Sequence, residues 1–200
     1  MKNSTFRTML PTAMVMAIAA PMTACTLQAG ESTGSQGEAV QDGPPPVPPA
    51  LAVPDGNKLA FHFDAIGFQI YGCQKNGTSF AWVFQAPEAD LFDKHGHLVG
   101  KHYVGPTWEF KDGSKVVGAR LAGFTADVHS IPWLLLGALS HEGDGRMSVV
   151  TFIQRVDTAG GLAPASGCDA DHVSAVARVP YTATYFFYKA QDDGPDPSDD

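Results

Sequence analysis

Basic residues are scarce in this sequence. Its 200 residues contain 13 Lys and Arg against 21 Asp and Glu, which gives a formal net charge of −8 at pH 7. Proteins that bind nucleic acids need a surplus of basic side chains to neutralise phosphates, so we expect no nucleic-acid partner. Five of the acidic residues lie in the last ten positions, 191–200, without a Lys or Arg among them. We predict that this acidic tail is disordered, because it has little apolar surface to bury.

The sequence also lacks the common motifs of catalysis and nucleotide binding. It has no G-x-S-x-G nucleophile elbow, no P-loop and no glycine pattern typical of a dinucleotide-binding fold. Gly160 and Gly161 are adjacent, but no helix signal follows them, as a phosphate-binding loop would require. We therefore expect no cofactor, and the absence of a nucleophile motif disfavours an enzyme.

Long apolar runs are missing as well. Residues 9–20 are almost entirely apolar, but they are too few to cross a hydrocarbon layer of ~30 Å as a helix. Because Lys2 and Arg7 precede this run, we predict a signal peptide over residues 1–24. The following Cys25 ends the tetrapeptide Met-Thr-Ala-Cys, which resembles the lipobox of bacterial lipoproteins except that Met stands in place of the usual Leu.

A lipid on Cys25 would make the membrane a partner of this protein. We predict that residues 25–50, rich in Gly and Ser and then in Pro, form a disordered linker between this anchor and a folded domain. An outer membrane or cell surface is the expected location. Ordinary signal cleavage, which would give a periplasmic or secreted protein, is the alternative.

Cysteine is rare, with three in the chain. Setting Cys25 aside leaves Cys73 and Cys168, an even number in a domain predicted to be exported. We predict that these two residues form a disulfide. It would attach the Gly- and Pro-containing segment 157–171 to an early strand.

Residues 51–190 show the alternation of a β protein. Leu59, Phe61 and Phe63 alternate with less apolar residues, as in a half-buried strand. The alternation then changes phase, with apolar residues at 66, 68 and 70, so we predict a bulge or break near residues 65–67. Turn sequences follow at residues 76–77, 93–96 and 111–114, and further strands are predicted around residues 80–84, 116–121, 147–156 and 181–188.

One segment departs from this alternation. Ser130 and Pro132 suit a helix N-terminus, and the following residues are apolar on every side. We predict a short buried helix that ends before Gly143. The expected fold is all-β, an antiparallel β-sandwich or flattened barrel with one short buried helix.

Several long motifs resemble a known family. They are PDGNKLAFHFDAIGFQIYGC (54–73), HYVGPTWEFKDGSKVVG (102–118), IPWLLLGALSHEG (131–143), TFIQRVDTAGGLAPASGCD (151–169) and PYTATYFFYKA (180–190). Residues 53–189 thereby resemble domain-of-unknown-function family 3455. The resemblance implies an exported β-rich domain and carries no established reaction or ligand.

Histidines and carboxylates supply the candidates for chemistry. His95 and His97 with His102 form the closest approach to a metal cluster, but a turn holds the first two and no complete ligand shell is evident, so we expect no metal site. A general acid–base site is the second possibility, and it would need titratable groups in one cleft. Its candidates are His102, Glu109, His141 and Glu142.

Aromatic residues offer a different class of function. Tyr103 and Trp108 are the candidate ligand-binding residues, because exposed aromatic rings suit the apolar faces of sugars; Trp82, Tyr181 and Tyr185 could extend such a platform. The sequence therefore favours an exported, lipid-anchored envelope protein that acts as a binding or structural module. Its expected partner is an envelope polysaccharide or another extracellular ligand. The alternative is a hydrolase or metal-dependent enzyme that uses the His and Glu residues.

Overall fold

The computed structural model describes residues 43–191, and within them eight antiparallel strands form one closed barrel. Each strand pairs with the next along the chain, and the last strand pairs with the first. The strands are β1 (Asn57–Asn76), β2 (Ser79–Phe92), β3 (Leu98–Tyr103), β4 (Thr107–Phe110), β5 (Lys115–Phe124), β6 (Trp133–Glu142), β7 (Val150–Gly160) and β8 (Val176–Ala190). The all-β prediction is confirmed, and the architecture is the barrel.

The tight turn between β1 and β2 lies where the sequence predicts a hairpin. Asn76 pairs with Ser79, so Gly77 and Thr78 form a two-residue loop. Gly77 has a φ of 61°, which glycine adopts without the steric cost that a Cβ would add. The predicted turns at residues 93–96 and 111–114 connect β2 to β3 and β4 to β5.

The predicted bulge near residues 65–67 is wrong. β1 passes through these residues without a register shift against either neighbour, and its shifts lie nearer the strand ends. The reason is that the inward row beginning at Phe63 continues with Ala65 and Gln69, which are small or polar. The apolar Ile66 lies on the outside and is 58% exposed.

The predicted short helix is also wrong, because β6 occupies this segment. Leu134 and Leu136 face the barrel interior, whereas Leu135 lies on the outer side and is nevertheless buried. A strand that is covered on both faces gives a continuous apolar run, and periodicity alone does not distinguish such a run from a buried helix.

The outer cover is the N-terminal strap, which we define as residues 47–53. It contains a single 3₁₀ turn, Pro49–Leu51, which packs on β5 and β6. The carbonyl oxygen of Leu51 accepts a hydrogen bond of 2.6 Å from Gln154 Nε2. Val47 and Val53 pack against a second apolar cluster on the outer face, formed by Val156, Phe186 and Tyr188.

The two ends of the barrel differ. At the end where β6 connects to β7, a 3₁₀ turn over Arg146–Val149 inserts Met147 into the core, where the side chain is fully buried. The Arg146 guanidinium lies over the rings of Phe61 and Phe110, at 5.0 and 4.9 Å from their centroids. Together these side chains close this end of the barrel.

The disulfide between Cys73 and Cys168 is confirmed, with 5.3 Å between the two Cα atoms. It attaches the β7–β8 loop to β1, as the sequence predicts. This loop lies at the opposite end of the barrel from Met147. Tyr71 ties the loop further, since its hydroxyl donates a 2.6 Å hydrogen bond to the carbonyl of Gly161.

Several predictions concern residues outside the described range of 43–191. The signal peptide over residues 1–24, the lipidation of Cys25, the first part of the linker and the acidic tail beyond residue 191 all lie there. They stay predictions. Within the described range, no helix has the length and apolar character needed to cross a membrane.

Candidate functional site

The interior of the barrel contains a cavity of about 680 Å³ at the end opposite Met147. The β3–β4 turn, the β5–β6 loop and the inward rows of several strands surround it. Its apolar walls include Phe84, Val104, Trp108, Ile131, Leu134 and Leu136. Its polar lining residues include Gln69, Tyr71, His102, Arg120, Arg155 and Tyr185. A volume of about 300–1,000 Å³ with mainly apolar walls and a few polar groups is typical of small-molecule sites.

Three aromatic rings form one wall of this cavity. His102 stacks on Trp108 with 4.3 Å between ring centroids, and Tyr185 contacts both rings at 5.0 and 5.2 Å. His102 Nδ1 lies 2.9 Å from the carbonyl oxygen of Thr107, to which it donates. Burial lowers the pKa of His102 to about 3, so the ring is neutral at neutral pH and its Nε2 is an acceptor.

A cation lies next to this aromatic wall. Arg155 is the direct cross-strand partner of Tyr185, and its side chain is half-buried. Its Nε and Nη2 atoms both donate to the carbonyl oxygen of Pro132, at 3.1 and 2.8 Å. These bonds orient the guanidinium, and the Tyr185 hydroxyl is a further hydrogen-bond partner of Arg155. Because a guanidinium has five N–H donors, donors remain for a further acceptor.

Two buried donors of the lining have no hydrogen-bond partner among the described residues. They are Gln69 Nε2 and Trp108 Nε1, on side chains that are 3% and 1% exposed. An unsatisfied buried donor costs about 1–3 kcal/mol. Such a cost is recovered if a ligand supplies the acceptor.

The cavity carries positive charge. Of the described residues that line it, Arg120 and Arg155 are cationic and none is Asp or Glu. Arg155 forms no ion pair with any carboxylate in the described part of the chain. The cavity therefore presents a cation and free donors within mainly apolar walls.

Residues 54–189 match a family described as protein of unknown function, DUF3455. The chain belongs to this family. Comparisons with curated proteins and with solved structures gave no match. The DUF3455 region contains all of the residues that line the cavity and nearly all of the barrel, but it begins after the N-terminal strap.

The DUF3455 barrel does not bring the four acid–base candidates together. His102 lies inside the cavity, whereas His141 lies at the closed end, where its Nε2 is 2.8 Å from the carbonyl oxygen of Val150. Glu109 and Glu142 are on the outer face. The tight β3–β4 turn sets His102 opposite Trp108, so Glu109, one residue further along β4, points to the other side.

On the outer face, each glutamate has its own partner. Glu109 accepts a 2.8 Å hydrogen bond from the Tyr103 hydroxyl, and Glu142 pairs with Lys115 at 2.9 Å. Burial and the hydrogen bond to Glu109 raise the pKa of Tyr103. Tyr103 is therefore separated from Trp108, the other candidate ligand-binding residue, by the wall of the barrel.

The remaining histidine candidates lie on the β2–β3 turn. His97 Nδ1 is 3.2 Å from Asp93 Oδ2, and the rings of His95 and His97 are 5.9 Å apart. The same carboxylate accepts backbone hydrogen bonds from both residues, and these bonds lower the pKa of Asp93 to about 2. Across residues 43–191, no group of three or more His, Cys, Asp or Glu side chains is placed to hold a metal ion.

Sequence reasoning missed several polar residues of the cavity, among them Gln69 and Arg155. Gln69 continues the inward row of β1 behind Phe63 and Ala65. Arg155 is a lone charge between Ile153 and Val156 in the middle of β7. A charged or amide side chain inside such an apolar strand is the signal that points to a polar interior.

Proposed function

We propose that this DUF3455 domain is a binding module that takes a small, mainly apolar molecule into the cavity of its barrel. The cavity of about 680 Å³, in a barrel that is closed at its other end by Met147, supports this proposal. Its aromatic and aliphatic walls would replace water around an apolar ligand. Its few polar groups would orient that ligand.

The positions of the aromatic rings favour a small molecule over a polysaccharide. Trp108 and Tyr185 are fully buried inside the barrel, where a polymer chain would have to thread past the loops of the open end. The separation of His102 from Glu109 favours binding over acid–base catalysis. A general acid and base must reach the same reacting group.

Export and lipid anchoring are part of the proposal. A disulfide such as Cys73–Cys168 persists in oxidising compartments, which is compatible with an extracytoplasmic location. In a bacterial host fed a radiolabelled fatty acid, we expect the full chain to be labelled and a Cys25→Ala variant to remain unlabelled. Equal labelling of both would contradict the anchor at Cys25.

N-phenyl-1-naphthylamine, a neutral dye that fluoresces in apolar surroundings, tests the cavity itself. We expect saturable fluorescence with the purified protein and weaker binding by Leu134→Phe, because the larger ring occupies cavity volume. Leu139→Phe is the matched control, since Leu139 lies on the same strand but is 70% exposed outside the cavity. Equal affinity of the two variants would show that the dye does not occupy the cavity.

A further inference from the structure

We propose that the ligand of this cavity is an apolar monocarboxylate whose carboxylate binds to Arg155. The inference rests on the proposed function, since it concerns the chemistry of the molecule in the same cavity. It goes further by assigning a charge to that molecule and a residue that recognises it.

The first support is that Arg155 has no counter-ion among the described residues. A half-buried guanidinium beside apolar walls loses part of its hydration, and a paired carboxylate offsets that loss. Asp157, two residues along β7, does not supply one. Its pKa is raised by burial and by Asp64, which is the opposite of what an ion pair with Arg155 would produce.

The second support is the orientation of the guanidinium. The Pro132 carbonyl occupies the Nε and Nη2 edge of Arg155. Because a guanidinium is planar and its donors lie in a fixed fork, this contact holds the Nη1 end in place before any ligand enters. Pre-orientation of this kind suits a carboxylate, which accepts two parallel hydrogen bonds from an arginine.

The third support comes from the free donors. Trp108 Nε1 and Gln69 Nε2 both lack acceptors and both belong to buried side chains of the same cavity. A ligand without acceptors would leave them unsatisfied. A carboxylate offers about four acceptor positions, which is enough for Arg155 and for these donors.

The single negative charge of the proposed ligand follows from the residues that line the cavity. Arg155 is the half-buried cation of the cavity, whereas Arg120 is exposed at its mouth. One inner cation balances one negative charge. The aliphatic side chains of Leu134, Leu136 and Ile131 would contact the remaining, apolar part of the molecule.

A pair of matched ligands tests this inference. Octanoate and 1-octanol have the same chain length and differ in charge, and each can compete with N-phenyl-1-naphthylamine for the cavity. We expect octanoate to bind about tenfold more tightly than 1-octanol at pH 7, the size of effect typical of a charge-assisted hydrogen bond. Equal affinities, with the dye bound, would overturn the monocarboxylate and leave the binding cavity in place.

Variants of Arg155 identify the residue responsible. We expect Arg155→Gln to lose the preference for octanoate over 1-octanol, and Arg155→Lys to retain part of it. Arg178→Met is the control, because Arg178 pairs with Glu88 on the outer face. A preference that survives in Arg155→Gln would overturn the assignment.

A further variant covers the case in which Arg155→Gln does not fold. Gln69→Leu has a similar volume and removes one free donor, so we expect its affinity for octanoate to fall several-fold relative to 1-octanol. An unchanged ratio would contradict the inference. If neither the dye nor octanoate binds to the wild-type protein, the proposed function fails and this inference fails with it.

Discussion

His102 is a histidine that the fold keeps neutral. Its ring lies between Trp108 and Tyr185, and within residues 43–191 its hydrogen bond is made through Nδ1 to a backbone carbonyl. A positive charge at this position would lie without solvent and near Arg155, and both effects lower its pKa. The neutral ring gives the cavity an acceptor at Nε2.

A pH dependence of stability follows from this burial. Between pH 6.5 and about 3 the unfolded chain protonates His102 and the folded protein does not, so the free energy of unfolding decreases as the pH falls. The slope approaches about 1.4 kcal/mol per pH unit. Urea unfolding measures this effect. Between pH 7 and pH 5, the free energy of unfolding should fall by about 2 kcal/mol more in the wild type than in His102→Gln.

His95→Gln is the control for the loss of a histidine, because His95 lies on the exposed β2–β3 turn. It should keep the pH dependence of the wild type. Identical pH dependence in His102→Gln and the wild type would mean that His102 has the same pKa in the folded and unfolded states.

The residues of the site could be predicted only in part. His102 and Trp108 were candidates, because histidine and tryptophan are residue types with recognisable chemistry. Their side chains point into the barrel because alternate residues of a strand face opposite sides, and the β3–β4 turn sets which residues of the two strands face inward. Arg155 and Gln69 were not found, since their roles arise from the closure of β8 onto β1, which brings distant strands around one cavity.

At the scale of elements, the alternation of apolar and polar residues predicts where strands lie better than it predicts which face of a strand is buried. It identified most of the strands, but it failed in β1 and β6. Both failures have one physical cause, which is that burial does not follow the simple rule of one apolar, buried face and one polar, exposed face. The interior of β1 turns polar where it lines the cavity, and the exterior of β6 is covered by the N-terminal strap.

The disulfide should contribute strongly to stability, because it connects residues 95 positions apart in sequence. In the chain-entropy model, closing a loop of that length stabilises the folded state by about 4–5 kcal/mol. We expect a reductant to lower the melting temperature of the wild type. The double variant Cys73→Ser, Cys168→Ser should melt at that lower temperature with or without reductant, and a wild-type melt that is insensitive to reductant would contradict the prediction.

The 3₁₀ turn that closes the barrel depends on Asp112. This carboxylate accepts hydrogen bonds from the backbone N–H of Arg146, at 2.8 Å, and from Ser114 Oγ, at 2.6 Å. Removing it in Asp112→Ala should cost about 1–2 kcal/mol of unfolding free energy, because the turn loses its anchor to the β4–β5 connection. Asp144→Ala changes an exposed carboxylate nearby and should cost about 0.5 kcal/mol or less; equal losses would show that the anchor does not hold the turn.

At the scale of the whole molecule, the barrel has a closed half and an open half that differ in packing. The closed half contains the densest packing, with Phe63, Leu91, Met147 and Phe187 almost completely buried. The open half has polar groups and a cavity, both of which cost stability. A protein built only for structural support would gain stability by filling this half, so the cavity supports the proposed binding function.

The folded unit also extends beyond the barrel strands and beyond the region that matches DUF3455. Leu51 lies before residue 54, yet its side chain has no exposed surface. Replacing it in Leu51→Ala should lower the free energy of unfolding by about 2–4 kcal/mol, because a buried leucine leaves a cavity when it is truncated. Leu98→Ala, which shortens a half-exposed leucine on β3, should have a much smaller effect. Urea unfolding distinguishes the outcomes: similar small losses in both variants would mean that the N-terminal strap is not part of the cooperative fold.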